Sequence, residues 1–215
     1  MTPDDPATTH ELKEAKAHLR REMLGRRAEL HAADRALRGV QSRAAADHFL
    51  AANRHAGVEV IAGFRPIRTE IDVTPVMEAL ASAGHRLCVP VVQGRGQGQG
   101  QAAGEPLRFR EWTPEAEAAM TTGPFGVPVP SAGAWLVPGL LLVPLLAFDA
   151  RGWRLGYGGA FYDRTLAALR ARGPTLAVGF AYAGQQVPGV PHGPTDQRLD
   201  AVVTEAGWMD VLGEG

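Results

Sequence analysis

The amino-acid sequence predicts a single α/β domain with three layers, in which helices flank a mostly parallel sheet. Helix-like and strand-like patterns alternate from residue 11 to residue 205, which is typical of strands joined by helical crossovers. The strand candidates are short, continuous apolar runs, as expected for strands that are covered on both faces. With 215 residues and no internal repeat, the chain is long enough for one such domain with a sizeable core.

The N-terminal part of the chain predicts two helices. Residues 1–10 are polar and are assigned to a disordered tail. An apolar stripe with charged residues around it predicts a helix over residues 11–31. Asp34 is expected to cap a second helix, rich in Ala and Arg, over residues 34–55.

The first predicted helix carries two basic residues on one face. Lys16 and Arg20 lie four residues apart, so their side chains project from the same side of the helix. Taken alone, this pair is most simply a basic face in contact with solvent.

A strand, a helix and a second strand are predicted next. The strand Val58–Phe64 leads into a turn-rich segment that contains Glu70. Ligands of parallel sheets bind beyond the carboxyl ends of strands, so Glu70 is a candidate site residue, with a solvated loop carboxylate as the alternative. A short helix is predicted over Thr74–Ala83, with Thr74 as its N-cap, and a strand over Arg86–Val92.

A low-complexity Gly/Gln tract over residues 94–104 is predicted to form a mobile loop. It does not divide the chain into two domains, because a strand pattern resumes over Leu107–Trp112. Trp112 offers a flat apolar surface to a ring-shaped ligand, and packing in the core is an equally good interpretation of it.

The most informative stretch joins a strand, a glycine-rich loop and a helix. The apolar run Gly139–Val143 predicts a buried strand, which Pro144 ends because it lacks a backbone donor. A helical pattern begins at Ala160, after a loop rich in Gly. Free N–H groups and the positive end of the helix dipole make such a junction an anion site, although a plain tight turn also uses glycine.

Two charged residues strengthen the prediction of an anion site. Arg154 contributes a planar guanidinium that suits phosphate. Asp163, in the first helical turn, is placed to hold Mg²⁺ beside a phosphate, or alternatively to complement the helix dipole. Strands are predicted after this helix, over Leu176–Phe180 and within Asp200–Glu205.

Composition predicts a cytoplasmic protein that binds neither nucleic acid nor membrane. The formal net charge is −1, so no overall charge attracts the chain to either partner. The apolar runs are shorter than the roughly 18 residues that a membrane span requires, and we see no secretory leader. The single cysteine, Cys88, excludes a disulfide within the chain and is expected to be buried.

The string VPLLAFDARGWRLGYGGAFYDR, residues 143–164, resembles the signature of the 5-formyltetrahydrofolate cyclo-ligase family, also called methenyltetrahydrofolate synthetases. The chain departs from that signature at Ala160 and Phe161, where the family usually has Gly and Tyr, and at Val129, where it commonly has Glu. The resemblance covers nearly the whole chain. The positions that match within the string are Arg154, Leu155, Gly156, Gly158, Gly159, Tyr162, Asp163 and Arg164.

The resemblance implies a Rossmann-like cyclo-ligase fold and an ATP- and Mg²⁺-dependent ligase of one-carbon folate metabolism. The reaction it implies converts 5-formyltetrahydrofolate to 5,10-methenyltetrahydrofolate. The formyl oxygen is phosphorylated, N10 attacks the activated carbon, and ADP and phosphate are released. We expect a monomer that acts on this small molecule, including polyglutamylated forms, with no protein nucleophile.

The resemblance also implies the site residues. Arg154 and Lys16 would be catalytic, Asp163 and Asp196 would bind Mg²⁺, and the folate would contact Glu70, Ile67, Trp112 and Tyr162. The residues implied to bind ATP are Lys16, Arg20, Arg154, Leu155, Gly156, Tyr157, Gly158, Gly159, Ala160, Phe161 and Tyr162.

Two other functions stay open. The departures at Ala160, Phe161 and Val129 are compatible with a non-catalytic paralogue that binds nucleotide or folate. An isomerase or CoA transferase on a related scaffold would need a nucleophilic glutamate near a strand end, and Glu70 is the candidate for that role.

Overall fold

The computed structural model describes residues 6–92, 105–123 and 126–211. They form a mixed α/β fold around a large, mostly parallel sheet with helices on both faces, which confirms the predicted fold class. The predicted Gly/Gln loop at 94–104 lies outside the described residues.

The helices are α1 (Pro6–Ala36), α2 (Val40–Ala52), α3 (Thr74–Ser82) and α4 (Phe161–Arg170). The strands are β1 (Val60–Ala62), β2 (Arg86–Val91), β3 (Arg108–Trp112), β4 (Met120–Thr122), β5 (Pro128–Pro130), β6 (Trp135–Leu136), β7 (Leu140–Val143), β8 (Ala147–Phe148), β9 (Arg154–Leu155), β10 (Leu176–Phe180), β11 (Ala201–Thr204) and β12 (Gly207–Asp210).

The central sheet has the strand order β12-β11-β10-β7-β1-β2-β3-β6. The five strands from β11 to β2 run parallel, while β12, β3 and β6 pair antiparallel at the two edges. Every residue of β1, β7 and β11 is buried, because α2 and α3 cover one face of the sheet and α4 covers the other. This is why these strands appear in the sequence as unbroken apolar runs.

The N-terminal helices differ from their predicted bounds. Residues 6–10, which the sequence analysis assigned to a disordered tail, are the beginning of α1, whose helix starts at Pro6. Asp34 lies in α1 rather than at the start of α2. Its carboxylate nevertheless accepts hydrogen bonds from the Gln41 amide (2.8 Å) and the Ser42 hydroxyl (2.6 Å), so it caps α2 from the preceding helix.

The other elements follow the prediction closely. The predicted helix at Thr74 is α3, but its N-cap is Val73 and the Thr74 amide bonds to Asp72 instead. The strand that ends before Pro144 is β7, at the centre of the sheet. A short hairpin of β8 and β9 then intervenes before the loop that leads to α4. None of the helices in the described residues has the length and apolar character needed to cross a membrane.

Candidate active site

The glycine loop, residues 156–160, connects β9 to the N-terminus of α4. Within the described part of the chain, no backbone amide from 156 to 163 donates a hydrogen bond to a protein acceptor. These amides lie at the positive end of the α4 dipole, and Gly158 and Ala160 take positive φ angles of 100° and 50° to bring the chain round. The arrangement is suited to an anion such as phosphate.

Helix α1 brings its basic face against this loop. The Arg20 Nε donates to the carbonyl oxygen of Gly156 at 3.0 Å, across 136 positions of sequence. The Arg20 guanidinium also lies so close to Gly158 that a Cβ there would be 3.3 Å from its Cζ. Lys16, one helical turn earlier, pairs with Asp196, with 2.6 Å between its Nζ and the Oδ2. Of the two basic residues on this face, Arg20 therefore contacts the loop and Lys16 forms an ion pair with a distant segment.

Arg154 ties the loop to the first turn of α4. Its Nη2 is 2.8 Å from the Oδ1 of Asp163, and its Nη1 donates to the carbonyl oxygen of Gln197. The Gln197 amide donates in turn to the same Asp163 oxygen at 3.0 Å. Burial lowers the pKa of Arg154 from its ordinary value, and the carboxylate of Asp163 opposes that shift. The guanidinium is thus held between the first turn of α4 and the backbone of Gln197.

The two predicted metal ligands are chemically suited to Mg²⁺. The negative charges of Asp163 and Asp196 both raise the pKa of Arg154. Each carboxylate uses one oxygen to accept hydrogen bonds from a cationic side chain and from a backbone amide. In the described residues their second oxygens, Oδ2 of Asp163 and Oδ1 of Asp196, have no protein partner. Mg²⁺ typically takes one or two carboxylates and completes its shell with phosphate and water, so each free carboxylate oxygen is a donor of the type that the ion prefers. The described residues contain no group of three or more His, Cys, Asp or Glu side chains placed to hold a metal ion.

Glu70 is buried beside Arg27 of α1. Its side chain is 5% exposed, its Oε2 accepts the Ile67 amide at 2.9 Å, and the Arg27 Nη1 lies 3.8 Å from its Oε1. Burial raises the pKa of Glu70 to about 7, against the opposing effects of the Ile67 amide, Arg27 and Arg68.

Tyr162 interacts electrostatically with both Glu70 and Arg154. Burial raises its pKa above the ordinary value, the charge of Glu70 raises it further, and Arg154 opposes both. The phenol is therefore within electrostatic range of the carboxylate on one side and of the guanidinium on the other.

Some predicted residues do not reach the site with their side chains. Trp112 is 3% exposed and packs in the core, where it pairs with Leu87 near the beginning of β2. Because β3 runs antiparallel to β2, Trp112 lies at the end of the sheet opposite the carboxyl ends of the parallel strands. The Leu155 side chain packs with Met23 in another cluster, so only its backbone borders the loop. Of the two interpretations of Trp112 that the sequence left open, the structure shows core packing.

Sequence reasoning missed Arg27, Arg68 and Gln197. Arg27 is fully buried, although an arginine in a polar helix is normally read as a surface residue. The signal available was its spacing, because it lies seven residues after Arg20 and four after Met23, on the same face of α1. Arg68 takes a positive φ of 57° and lies over the ring of Tyr157.

The chain is similar to proteins of one family. A model of the 5-formyltetrahydrofolate cyclo-ligase family matches residues 12–205. A protein from Escherichia coli (strain K12) named 5-formyltetrahydrofolate cyclo-ligase is 35% identical over 147 residues, which cover 67% of this chain and 76% of that protein.

Solved structures support the same grouping. The NMR structure of Aquifex aeolicus 5,10-methenyltetrahydrofolate synthetase matches with a TM-score of 0.71 and 25% identity, over 93% of this chain and 94% of that one. A 5,10-methenyltetrahydrofolate synthetase from Mycoplasma pneumoniae matches with a TM-score of 0.65 over 88% of this chain and 98% of that one. At 21% identity this second likeness shows the fold alone.

Proposed function

The chain belongs to the 5-formyltetrahydrofolate cyclo-ligase family, and from that membership we propose that it converts 5-formyltetrahydrofolate to 5,10-methenyltetrahydrofolate with ATP and Mg²⁺, releasing ADP and phosphate. One observation carries the nucleotide part of the proposal. The loop amides have no protein acceptor in the described residues, Arg20 contacts the same loop, Arg154 pairs with Asp163 in the first turn of α4, and Lys16 pairs with Asp196.

The chemistry explains why such a site is needed. A formamide carbonyl is a poor electrophile and its oxygen is a poor leaving group. ATP and Mg²⁺, when bound, would supply a phosphoryl group to that oxygen and neutralise the phosphate charge. Catalysis of this kind depends on positioning and on charge stabilisation, so the site needs no protein nucleophile.

On the nucleotide side, each proposed residue has a task. The amides of residues 156–162, with Leu155 joining through its backbone, would bind phosphate oxygens. Arg20 would hold the loop through the Gly156 carbonyl and add positive charge, while Arg154 and Lys16 would stabilise charge on the transferred group. Asp163 and Asp196 would hold Mg²⁺ through their free oxygens, with phosphate and water as its other ligands.

On the folate side, Glu70 would bind the pterin ring. With a pKa of about 7, the group exists in both the charged and the neutral form near neutral pH, so it can accept or donate a hydrogen bond. Ile67 orients Glu70 through its backbone amide, and Tyr162 adds an aromatic surface beside it.

The setting of the enzyme is part of the proposal. We propose that it acts in the cytoplasm as a monomer, on free or polyglutamylated folate, without nucleic acid or membrane. A net charge of −1, which attracts the chain to neither nucleic acid nor membrane, supports the last point.

An assay of methenyl product formation tests the function. Purified protein with ATP, Mg²⁺ and 5-formyltetrahydrofolate is expected to generate the methenyl chromophore only when ATP is present. Arg154→Ala is expected to lower kcat/KM by roughly 30-fold, because a lost charged donor costs about 2 kcal/mol of transition-state stabilisation.

The matched control for this assay is Arg172→Ala, which removes an exposed arginine just beyond the end of α4 and is expected to leave the rate unchanged. Binding of nucleotide or folate without any product would identify a non-catalytic paralogue. A thioester trapped on Glu70 with a CoA substrate would identify a transferase. A normal rate in Arg154→Ala would remove Arg154 from the site.

A further inference from the structure

Arg27 is a buried cation that the proposed site does not yet account for. It lies in α1, its side chain is 0% exposed, and it is among the largest fully buried side chains of the described residues. A buried guanidinium is costly unless its donors are satisfied, so its partners indicate what it does.

The guanidinium of Arg27 contacts three separate segments of the chain. Its Nε donates to the Thr69 hydroxyl at 3.1 Å, and its Nη1 donates to the Leu145 carbonyl oxygen, also at 3.1 Å. Nη1 also lies 3.8 Å from the Glu70 carboxylate, and Nη2 donates to the hydroxyl of Tyr157 in the glycine loop. One planar group therefore connects α1 to the β7 exit, to the segment that carries Glu70 and to the glycine loop.

These contacts are not those of a simple ion pair. At 3.8 Å, the approach of Arg27 to Glu70 is longer than a charge-assisted hydrogen bond, and most of its donors go to neutral acceptors. Replacing buried charges by apolar residues of similar size is often neutral or stabilising, so stability alone is a weak reason for an arginine here. What a methionine would lack is the rigid fork that fixes several acceptors at once.

In the glycine loop, the Arg27 guanidinium fixes the side chain of Tyr157. The Arg27 guanidinium lies 5.2 Å from the centre of the Tyr157 ring, and the Arg68 guanidinium lies 5.3 Å from it. Because the Tyr157 hydroxyl accepts from Arg27, its own hydrogen points elsewhere, and among the described residues no group accepts it. The ring is fixed while its backbone contributes one of the free amides of the loop.

We propose that Arg27 is a positioning residue that sets the glycine loop, through Tyr157, and the carboxylate of Glu70 in one fixed arrangement. The inference rests on the proposed function, in which the loop binds nucleotide and Glu70 binds folate. A single guanidinium then determines the relative placement of the two substrates, although it touches neither of them. Both binding sites depend on it for their geometry.

The test is the effect of Arg27→Met on the two KM values of the otherwise intact enzyme. KM for ATP and KM for 5-formyltetrahydrofolate are each expected to rise at least fivefold. KM does not depend on the fraction of molecules that fold, so a residue needed only for stability would lower the yield of active enzyme and leave both values unchanged. Arg27→Lys keeps the charge without the fork and is expected to stay defective.

Arg26→Met is the matched control, because Arg26 is the neighbouring residue of α1 and its side chain is exposed. Both KM values are expected to equal those of the unmodified protein. Wild-type KM values in active Arg27→Met protein, or full recovery in Arg27→Lys, would overturn the inference.

A second variant keeps the test decisive if Arg27→Met does not fold. Tyr157→Phe removes only the hydroxyl of a residue that is 37% exposed, and it is expected to raise KM for ATP at least threefold. Where both can be made, adding it to Arg27→Met should change KM no further, because the two act through one hydrogen bond. An unchanged KM in Tyr157→Phe overturns the inference. Absence of activity in the unmodified protein would instead contradict the proposed function.

Discussion

At the scale of single residues, Ala160 occupies a backbone-sensitive position at the start of α4. From the sequence, Ala160 is harmless if the backbone there is already helical and unfavourable if φ is positive. The structure gives φ 50° and ψ 24°, which is the left-handed region. An alanine in that conformation costs roughly 1 kcal/mol or more relative to an unstrained one. The loop therefore keeps its shape against a local penalty.

We expect Ala160→Gly to raise the free energy of unfolding by up to about 1 kcal/mol, because relief of strain exceeds the extra entropy of an unfolded glycine. Urea denaturation measures the change. The control is Ala171→Gly, the same substitution at the other end of α4, where φ is −67° and glycine should destabilise. Equal losses in both variants would show that position 160 is not strained.

At the scale of elements, the site depends on how α1 lies against the glycine loop. One face of the helix carries Lys16, Arg20, Met23 and Arg27. Lys16 contacts Asp196 and Arg20 contacts the loop, while Met23 packs in a core cluster and Arg27 lies beside Glu70. A face that mixes cations with apolar residues is unusual for a surface helix. It is explained by the acceptors that these cations meet, which are a carboxylate, two backbone carbonyls and two hydroxyls from the glycine loop and from other segments.

Gly158→Ala should disturb this contact specifically. The position has φ +100°, and a Cβ there would lie 3.3 Å from the Arg20 guanidinium. We expect KM for ATP to rise roughly fivefold, since about 1 kcal/mol of lost binding energy corresponds to that factor. Gly173→Ala is the control, because a Cβ at Gly173 meets no atom within 4 Å. If both variants bind ATP normally, the loop does not need its close approach to α1.

At the scale of the whole molecule, the buried Glu70 makes stability depend on pH. Its pKa is about 7 in the folded protein against an ordinary 4.5, so the folded state holds the proton more tightly than the unfolded state. Proton binding to Glu70 therefore stabilises the folded state. This stabilisation is fully present below pH 4.5 and is lost as pH rises through 7. The shift corresponds to about 3 kcal/mol.

We therefore expect the difference in unfolding free energy between pH 5 and pH 8 to shrink in Glu70→Gln, measured by urea denaturation at both pH values. Glu78→Gln, which changes an exposed glutamate of α3, is expected to keep the pH dependence of the unmodified protein. A pH dependence that Glu70→Gln leaves unaltered would show that Glu70 titrates normally.

Much of the fold could be predicted because its signals are local. The continuous apolar runs of β1, β7 and β10 and the start of α4 after a glycine loop are visible in neighbouring residues. The bounds of α1 and α2 were less accurate. Asp34 is a good capping residue, and the sequence does not show that it caps the helix from seven positions away.

The site was only partly predictable. The string around Arg154 and Asp163 indicated a phosphate-binding loop with a carboxylate beside it. In the structure the Arg154 Nη2 lies 2.8 Å from the Oδ1 of Asp163. For Trp112 the sequence left a ligand surface and core packing equally open, and the structure buries its side chain in the core. Arg27 was not singled out, because a surface role is the default for an arginine in a polar helix. The alternation of strand faces and the register of β3 against β2 decide the first, and the docking of α1 decides the second.

The sequence by itself determined the α/β class, the order of elements and the junction of glycine loop and helix, since each follows from residues adjacent in the chain. Only the tertiary structure decided that Arg20 and Arg27 contact the glycine loop, that Lys16 pairs with Asp196, and that Arg27 lies beside Glu70. The reason is physical. The helical period shows which residues share one face of a helix. It does not show which segment, more than a hundred residues away in the chain, packs against that face, because this depends on how the whole chain folds.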